Sequence, residues 1–187
     1  MPSKHFGSAI LASIIFCTAC RKQNTAESIN EVQSINRSAM GENAEVPFKY
    51  NGLAPQTVWE LQQARSATAK YLNISKAFAD GYVDIEVKVP NMGYHFMKTA
   101  FVDSLFDIRK PEILVYNKNE DGSFQLVAVE YAVPIALSPN AAPEGFTGSD
   151  DVWERNEFFG LWLQHAWIWS YNPDGVFNDT NPLIQVH

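Results

Sequence analysis

Phe124-Gln125-Leu126-Val127-Ala128-Val129-Glu130-Tyr131-Ala132-Val133, FQLVAVEYAV, is a β-rich run with one carboxylate in its middle. A second such run, Ile113 to Asn117, precedes it, and Lys118-Asn119-Glu120-Asp121-Gly122 between the two is a hairpin signal. Strand side chains alternate between faces, so a regular strand puts Glu130 on one face with Phe124, Leu126 and Ala128. A carboxylate among such neighbours needs a cation, a metal ion or several hydrogen-bond donors.

Working outward, Tyr82 to Val89 (YVDIEVKV) alternates strictly, with Val83, Ile85, Val87 and Val89 inward and charged residues outward, and Pro90 stops it. Leu161 to Trp169 (LWLQHAWIW) reads as a last strand, in which His165 shares a face with Leu161, Leu163, Trp167 and Trp169. The polar, proline-containing segment from Ser138 to Asp151 is a long loop, and Asn172-Pro173-Asp174-Gly175 and Asn181-Pro182 are turns. Ahead of the strands, Thr57-Val58-Trp59-Glu60 has the spacing of a capping box. Val58, Leu61, Thr68, Tyr71, Leu72 and Ser75, with Ala64 beside them, then follow a helical face that ends before Asp80-Gly81. A helix followed by antiparallel strands predicts an α+β fold: an N-terminal helix packed on an antiparallel sheet in a single domain, residues 47–187. About 140 residues suffice to bury roughly two thirds of the unfolded surface without disulfides.

The segment 20–46 is polar and lacks a sustained apolar period, so it reads as a flexible tether; Ile29, Val32 and Ile35 at helical spacing leave a poorly ordered helix as the alternative. Before it, Lys4 and His5 precede a charge-free apolar stretch, Phe6 to Phe16, then small residues and Cys20. That is the layout of a secretory signal, and it is too short to span a bilayer, which takes ~20 residues. Cys17 and Cys20, the chain's two cysteines, form a C-x-x-C without the second pair or paired histidines of a structural zinc site. The small-small-Cys ending resembles the lipobox of bacterial lipoproteins, although Cys17 occupies the position where that family usually has Leu. The resemblance implies cleavage after residue 19, acylation of Cys20 and anchoring to the cell envelope through multiple acyl chains, which hold a membrane stably where one does not. Arg21 resembles the residue that directs such proteins to an outer membrane. The whole chain carries 14 Lys+Arg against 21 Asp+Glu, a net charge of −7. That balance, with no basic cluster, argues against nucleic acid as a partner.

Candidate chemistry concentrates on His95, Glu130 and His165. His95 follows a tight loop, Pro90 to Tyr94, in which Gly93 supplies a positive φ. His165 and Glu130 both fall on apolar strand faces. Brought together, the three make a two-histidine, one-carboxylate set suited to zinc or iron with open positions; Met92 and Met97 beside His95 add copper. No metal spacing such as HExxH accompanies them, so the alternative is a set of core polar residues satisfied by one another, by Tyr131 or by backbone. Tyr94, Tyr131, Trp167 and Trp169 are candidates for contacting a small ligand, with core packing as the competing role. No G-x-S-x-G, P-loop or G-x-G-x-x-G is present. The acidic cluster Ser149-Asp150-Asp151 with Glu154 and Glu157 lacks EF-hand spacing and reads as a solvated loop leading into a capped helical turn.

Gly93-Tyr94-His95, Pro111-Glu112, Val129-Glu130-Tyr131-Ala132-Val133-Pro134 and the run from His165 to Phe177 together resemble a family of uncharacterised exported bacterial and archaeal proteins. Its blocks are G-M-G-x-H, P-E-x-L-x-Y, V-E-Y-x-V-P and H-x-W-x-W-x-x-N-P-x-G-x-F-x-x-x-N-P. The likeness covers Asn91 to Pro182 and implies that His95, Glu130 and His165 lie in the family's motif blocks. It carries over no activity, and no disulfide. The sequence thus leads to a lipid-anchored envelope protein that binds a metal or small ligand. The alternatives are a metal-dependent enzyme using the same three residues and a structural or interaction lipoprotein.

Overall fold

The β-rich sequence from Val83 onward folds into a six-stranded antiparallel sheet in the order β1-β2-β3-β4-β6-β5. Its strands are β1 (Val83–Val89), β2 (Gly93–Met97), β3 (Ile113–Lys118), β4 (Phe124–Pro134), β5 (Glu154–Asn156) and β6 (Leu161–Ala166). The computed structural model describes Tyr50 and residues 52–185. The signal-like segment, Cys20 and the tether all lie outside the described residues. Those described belong to the unit Val46–His187 and form one α+β domain. Among them no helix is long and apolar enough to cross a membrane.

Helix α1 (Pro55–Thr68) opens the domain, with Pro55 at its first position, where a missing N–H costs nothing. It starts two residues before the capping-box Thr57, and no side chain caps it. Thr57 and Glu60 instead reach the long loop. The Thr57 hydroxyl donates to the Thr147 carbonyl at 2.5 Å, and the Glu60 carboxylate accepts from Thr147 N–H at 2.7 Å and from its hydroxyl at 2.6 Å. The helical run then breaks into a 3-10 turn (Ala69–Leu72) and a short α2 (Ile74–Ala79), because Asn73 takes an extended φ/ψ and caps α2 by accepting from Ser75 N–H. Val58, Leu61 and Ala64 of α1 are buried in the core with Phe96, Leu114, Tyr116, Val129 and Tyr131 from one face of the sheet.

The register of β4 departs from strict alternation. Val115 pairs with Ala128 but Tyr116 pairs with Leu126, so Val127 is an extra residue, a β-bulge. The bulge reverses the parity of the strand. Ala128 and Glu130 stay on one face, while Leu126 and Phe124 turn to the other, where Phe124 meets Phe96 and Tyr116 at 5.6 and 6.2 Å. Glu130 therefore shares its face with Ala128 and not, as alternation predicts, with Leu126 and Phe124. The Val127 carbonyl accepts from Trp169 N–H and Ser170 N–H. Strand β6 ends at Ala166 rather than Trp169, and the chain after it folds back along the domain, with Trp167 N–H bonded to the Val176 carbonyl.

Strand β1 carries a second irregularity. Asp84 pairs with Phe96 and Lys88 with Tyr94, so four steps along β1 match two along β2. Glu86 sits at φ 60° inside this distortion. Residues 154–156, read as the entry to a helical turn, form the short edge strand β5.

Candidate metal centre and its cavity

Three backbone pairings carry the candidate site. Glu130 on β4 lies directly opposite His165 on β6; Glu130 also pairs with Ile113 and His95 with Val115, which places all of these side chains on one face. The face is concave. Ile85, Val87 and Val89 from β1 and Glu154 and Asn156 from β5 line the same cavity, of about 230 Å³, although β1 and β5 are opposite edges of the sheet. The sheet is curled so that its edges approach across His95, Glu130 and His165, and Met92, Met97, Ile113, Leu161, Leu163 and Phe159 complete the wall.

His95, Glu130 and His165 are nearly removed from solvent, at 4, 2 and 1 % exposure. His95 Nε2 stands 3.7 Å from Glu130 Oε2, and His165 Nε2 stands 3.7 Å from Glu130 Oε1. The rings cross edge to face, with centroids 6.1 Å apart. One ligand atom from each residue can be chosen so that all three lie within 4.8 Å of one another. These separations exceed hydrogen-bond length, about 2.7–3.2 Å. The two 3.7 Å distances lie close to the spacing between ligands on an ion, since bonds of about 2.0–2.2 Å in tetrahedral geometry put ligand atoms about 3.4 Å apart, and the full set must draw in by some tenths of an ångström to share one.

The far side of each ring is also oriented. His95 Nδ1 is 3.1 Å from the Val87 carbonyl, inside the β1 distortion. A carbonyl only accepts, so Nδ1 carries the proton and Nε2 keeps its lone pair toward Glu130. His165 Nδ1 faces Asp179 Oδ1 at 4.0 Å. Neither ring nitrogen of His165 has a hydrogen-bond partner. Leaving such a group unsatisfied costs about 1–3 kcal/mol.

Electrostatics point the same way. Burial pushes the His165 imidazole down to about 3, assisted by the neighbouring His95 ring, and burial lowers His95 as well. Burial pushes Glu130 up to about 8, with Glu154, Asp179 and Glu112 adding negative charge nearby. Two neutral imidazoles and a carboxyl group held neutral are what this pocket supports without a cation. A divalent ion reverses the cost of ionising Glu130.

All three residues singled out from sequence meet at this point. The aromatic ligand candidates do not line the cavity. Tyr94 packs against Phe124 on the far face, and Tyr131 is buried with its hydroxyl donating to the Ile108 carbonyl. Trp169 lies under Arg65 and donates from Nε1 to Thr68. Trp167 comes nearest, stacked on His165 with ring planes 12° apart, while its Nε1 donates to the Asn178 carbonyl. Three further participants are not assigned to the site by the sequence, which places Glu154 in a solvated acidic cluster. Glu154 and Asn156 supply polar wall from a strand too short to show a period, and Asp179 reaches His165 only because the tail folds back. Buried Asn181 organises that tail, donating from Nδ2 to the Tyr171 carbonyl and from its backbone N–H to the Asn91 carbonyl.

No family model, curated protein or solved structure matches the chain.

Proposed function

We propose that this domain binds a divalent transition metal through His95, Glu130 and His165, and presents it to a cavity in a protein tethered to the cell envelope by lipidated Cys20. The observation that carries the metal reading is the convergence of two buried Nε2 atoms on one buried carboxylate at 3.7 Å, too far for hydrogen bonds and close enough to share an ion. Core packing alone does not account for it, because His165 then keeps two orphaned nitrogens.

Three protein ligands leave at least one coordination position for water or a small molecule. That is the arrangement of reactive zinc and non-haem iron sites rather than of closed structural zinc. Met92 and Met97 line the same cavity, which keeps copper(I) among the ions to be tested, since thioethers favour soft ions. An activity follows only where the bound metal activates water or substrate. The envelope part of the reading rests on the apolar stretch Phe6 to Phe16 and the Cys20 that follows it.

Metal analysis of the purified protein tests the centre. About one equivalent of zinc, iron or copper is expected, lost in His95→Ala and in His165→Ala. A protein that stays metal-free after incubation with each ion, and whose melting temperature ignores them, would falsify the metal reading. Labelling with a radioactive fatty acid, absent in Cys20→Ser, tests the anchor separately.

A further inference from the structure

The walls of the cavity state what the metal meets. The β1 wall presents Ile85, Val87 and Val89, and the β6 wall presents Leu161 and Leu163. Polar side chains other than the three candidate ligands come from β5 alone, where Asn156 Nδ2 donates to Glu154 Oε1 at 3.3 Å. Hydrated metal sites that serve only ions or small polar anions have no use for such walls, whereas pockets for organic ligands combine apolar lining with a few placed polar groups. A cavity of 150 Å³ holds a benzene-sized molecule. At about 230 Å³ this one has room for on the order of ten non-hydrogen atoms, by the same scale.

We infer that the cavity admits a small, largely apolar molecule carrying one nitrogen, oxygen or sulfur atom that ligates the metal held by His95, Glu130 and His165. The inference rests on the metal reading above and names its ligand class. The apolar body of the molecule lies against β1 and β6, and its polar edge turns toward Glu154 and Asn156. The strand pairing supports this orientation. Glu154 pairs with Leu163, two residues before His165 on the same strand, which sets the polar wall beside the metal position rather than across the cavity from it.

The test uses cobalt(II) as the metal and two probes with the same ligating ring, imidazole and 4-phenylimidazole. Cobalt binding is followed by its visible absorption, and each probe is then titrated into the loaded protein. Burial of the phenyl group makes 4-phenylimidazole at least tenfold tighter than imidazole. Ile85→Asp on the edge strand and Phe159→Asp on the β5–β6 turn each place a charge in the wall at a residue that is neither a candidate ligand nor the carbonyl partner of His95. At least one of them lowers the ratio threefold or more. Failure to bind cobalt overturns the metal centre and this inference with it. Cobalt bound with a ratio below tenfold, or a ratio unmoved by both substitutions, overturns the ligand class and leaves the metal centre standing.

Discussion

His165 and Glu130 face each other across the β4–β6 ladder, and the His165 Nε2 stops 3.7 Å short of the carboxylate, with no hydrogen bond at either ring nitrogen. On the proposed metal reading the pair is arranged for a third participant, at the expense of the metal-free protein.

That expense is measurable. Replacing His165 with Leu removes a buried, unsatisfied imidazole from an apolar neighbourhood, and is expected to raise the stability of the metal-free protein by about 1 kcal/mol or more while abolishing metal uptake. Denaturant melts with a chelator present, beside metal analysis, check both halves. A destabilised, metal-free His165→Leu would show that the imidazole earns its place by packing.

Asp179 is half-exposed and its carboxylate lies 4.0 Å from His165 Nδ1. A carboxylate behind a ligating histidine fixes its tautomer and strengthens it as a donor, and losing it typically costs 10–100-fold in metal affinity. At 4.0 Å Asp179 makes no hydrogen bond to the ring and acts on it as a nearby charge, so Asp179→Asn is expected to weaken the metal by no more than the low end of that range, about tenfold, with little change in the melt of the metal-free protein. Competition with a chromogenic chelator reads the affinity.

Gly93 begins β2 at φ +124°, two residues before His95, and a methyl group there would meet the Tyr116 carbonyl oxygen at 2.5 Å. Both the backbone conformation and the close strand approach require glycine. Gly93→Ala is expected to destabilise the fold by roughly 2 kcal/mol or more and, by shifting β2 from β3, to loosen the metal site as well. Thermal melts with and without metal separate the two effects.

Glu112 is buried beside the sheet, accepts from Ala132 N–H at 3.0 Å, and burial pushes its carboxyl up to about 8. A carboxyl group whose folded pKa lies above its unfolded value stabilises the protein fully below the unfolded value, near 4.5, and loses that contribution as pH rises toward 8. Its share of the decline is at most about 1.4 kcal/mol per pH unit. Glu112→Gln, which stays neutral, is expected to flatten the fall in stability between about pH 4.5 and 8. Urea melts across that range, wild type against variant, give the slope. An unchanged slope means that Glu112 is charged in the folded protein.

The helix-then-strands order was legible because the periods are long and clean. Val58, Leu61 and Ala64 keep one helical face, and Tyr82 to Val89 alternates without exception. Two departures came from tertiary bonds that no local pattern encodes. Thr57 and Glu60 have the spacing of a cap but are spent on Thr147, far along the chain. Phe124 and Leu126 leave the face of Glu130 because Val127 is supernumerary, and one valine in a run of apolar residues looks like any other. For the site, Glu130 and His165 stood out as polar groups on apolar strand faces, and His95 by its place after the Pro90 to Tyr94 loop. Asp179 did not, since an acidic residue in a polar stretch is unremarked until the fold sets it beside something buried, and Glu154 stood out only as part of an acidic cluster that reads as a solvated loop.

The Val127 bulge also constrains how this strand can change. A strand with one supernumerary residue has two halves of opposite parity, one addressed to the aromatic core and the other to the cavity. Removing Val127 itself would leave Leu126 opposite Tyr116 and Ala128 opposite Val115 as consecutive pairs, so alternation would keep Leu126 toward the core and Glu130 toward the cavity, whereas one residue gained or lost between Val127 and Glu130 would turn Glu130 away from both histidines. Substitutions along β4 are therefore local events, whereas a one-residue insertion or deletion outside the bulge turns over one half of the strand. The place of Glu130 beside both histidines thus depends on the number of residues between it and the bulge.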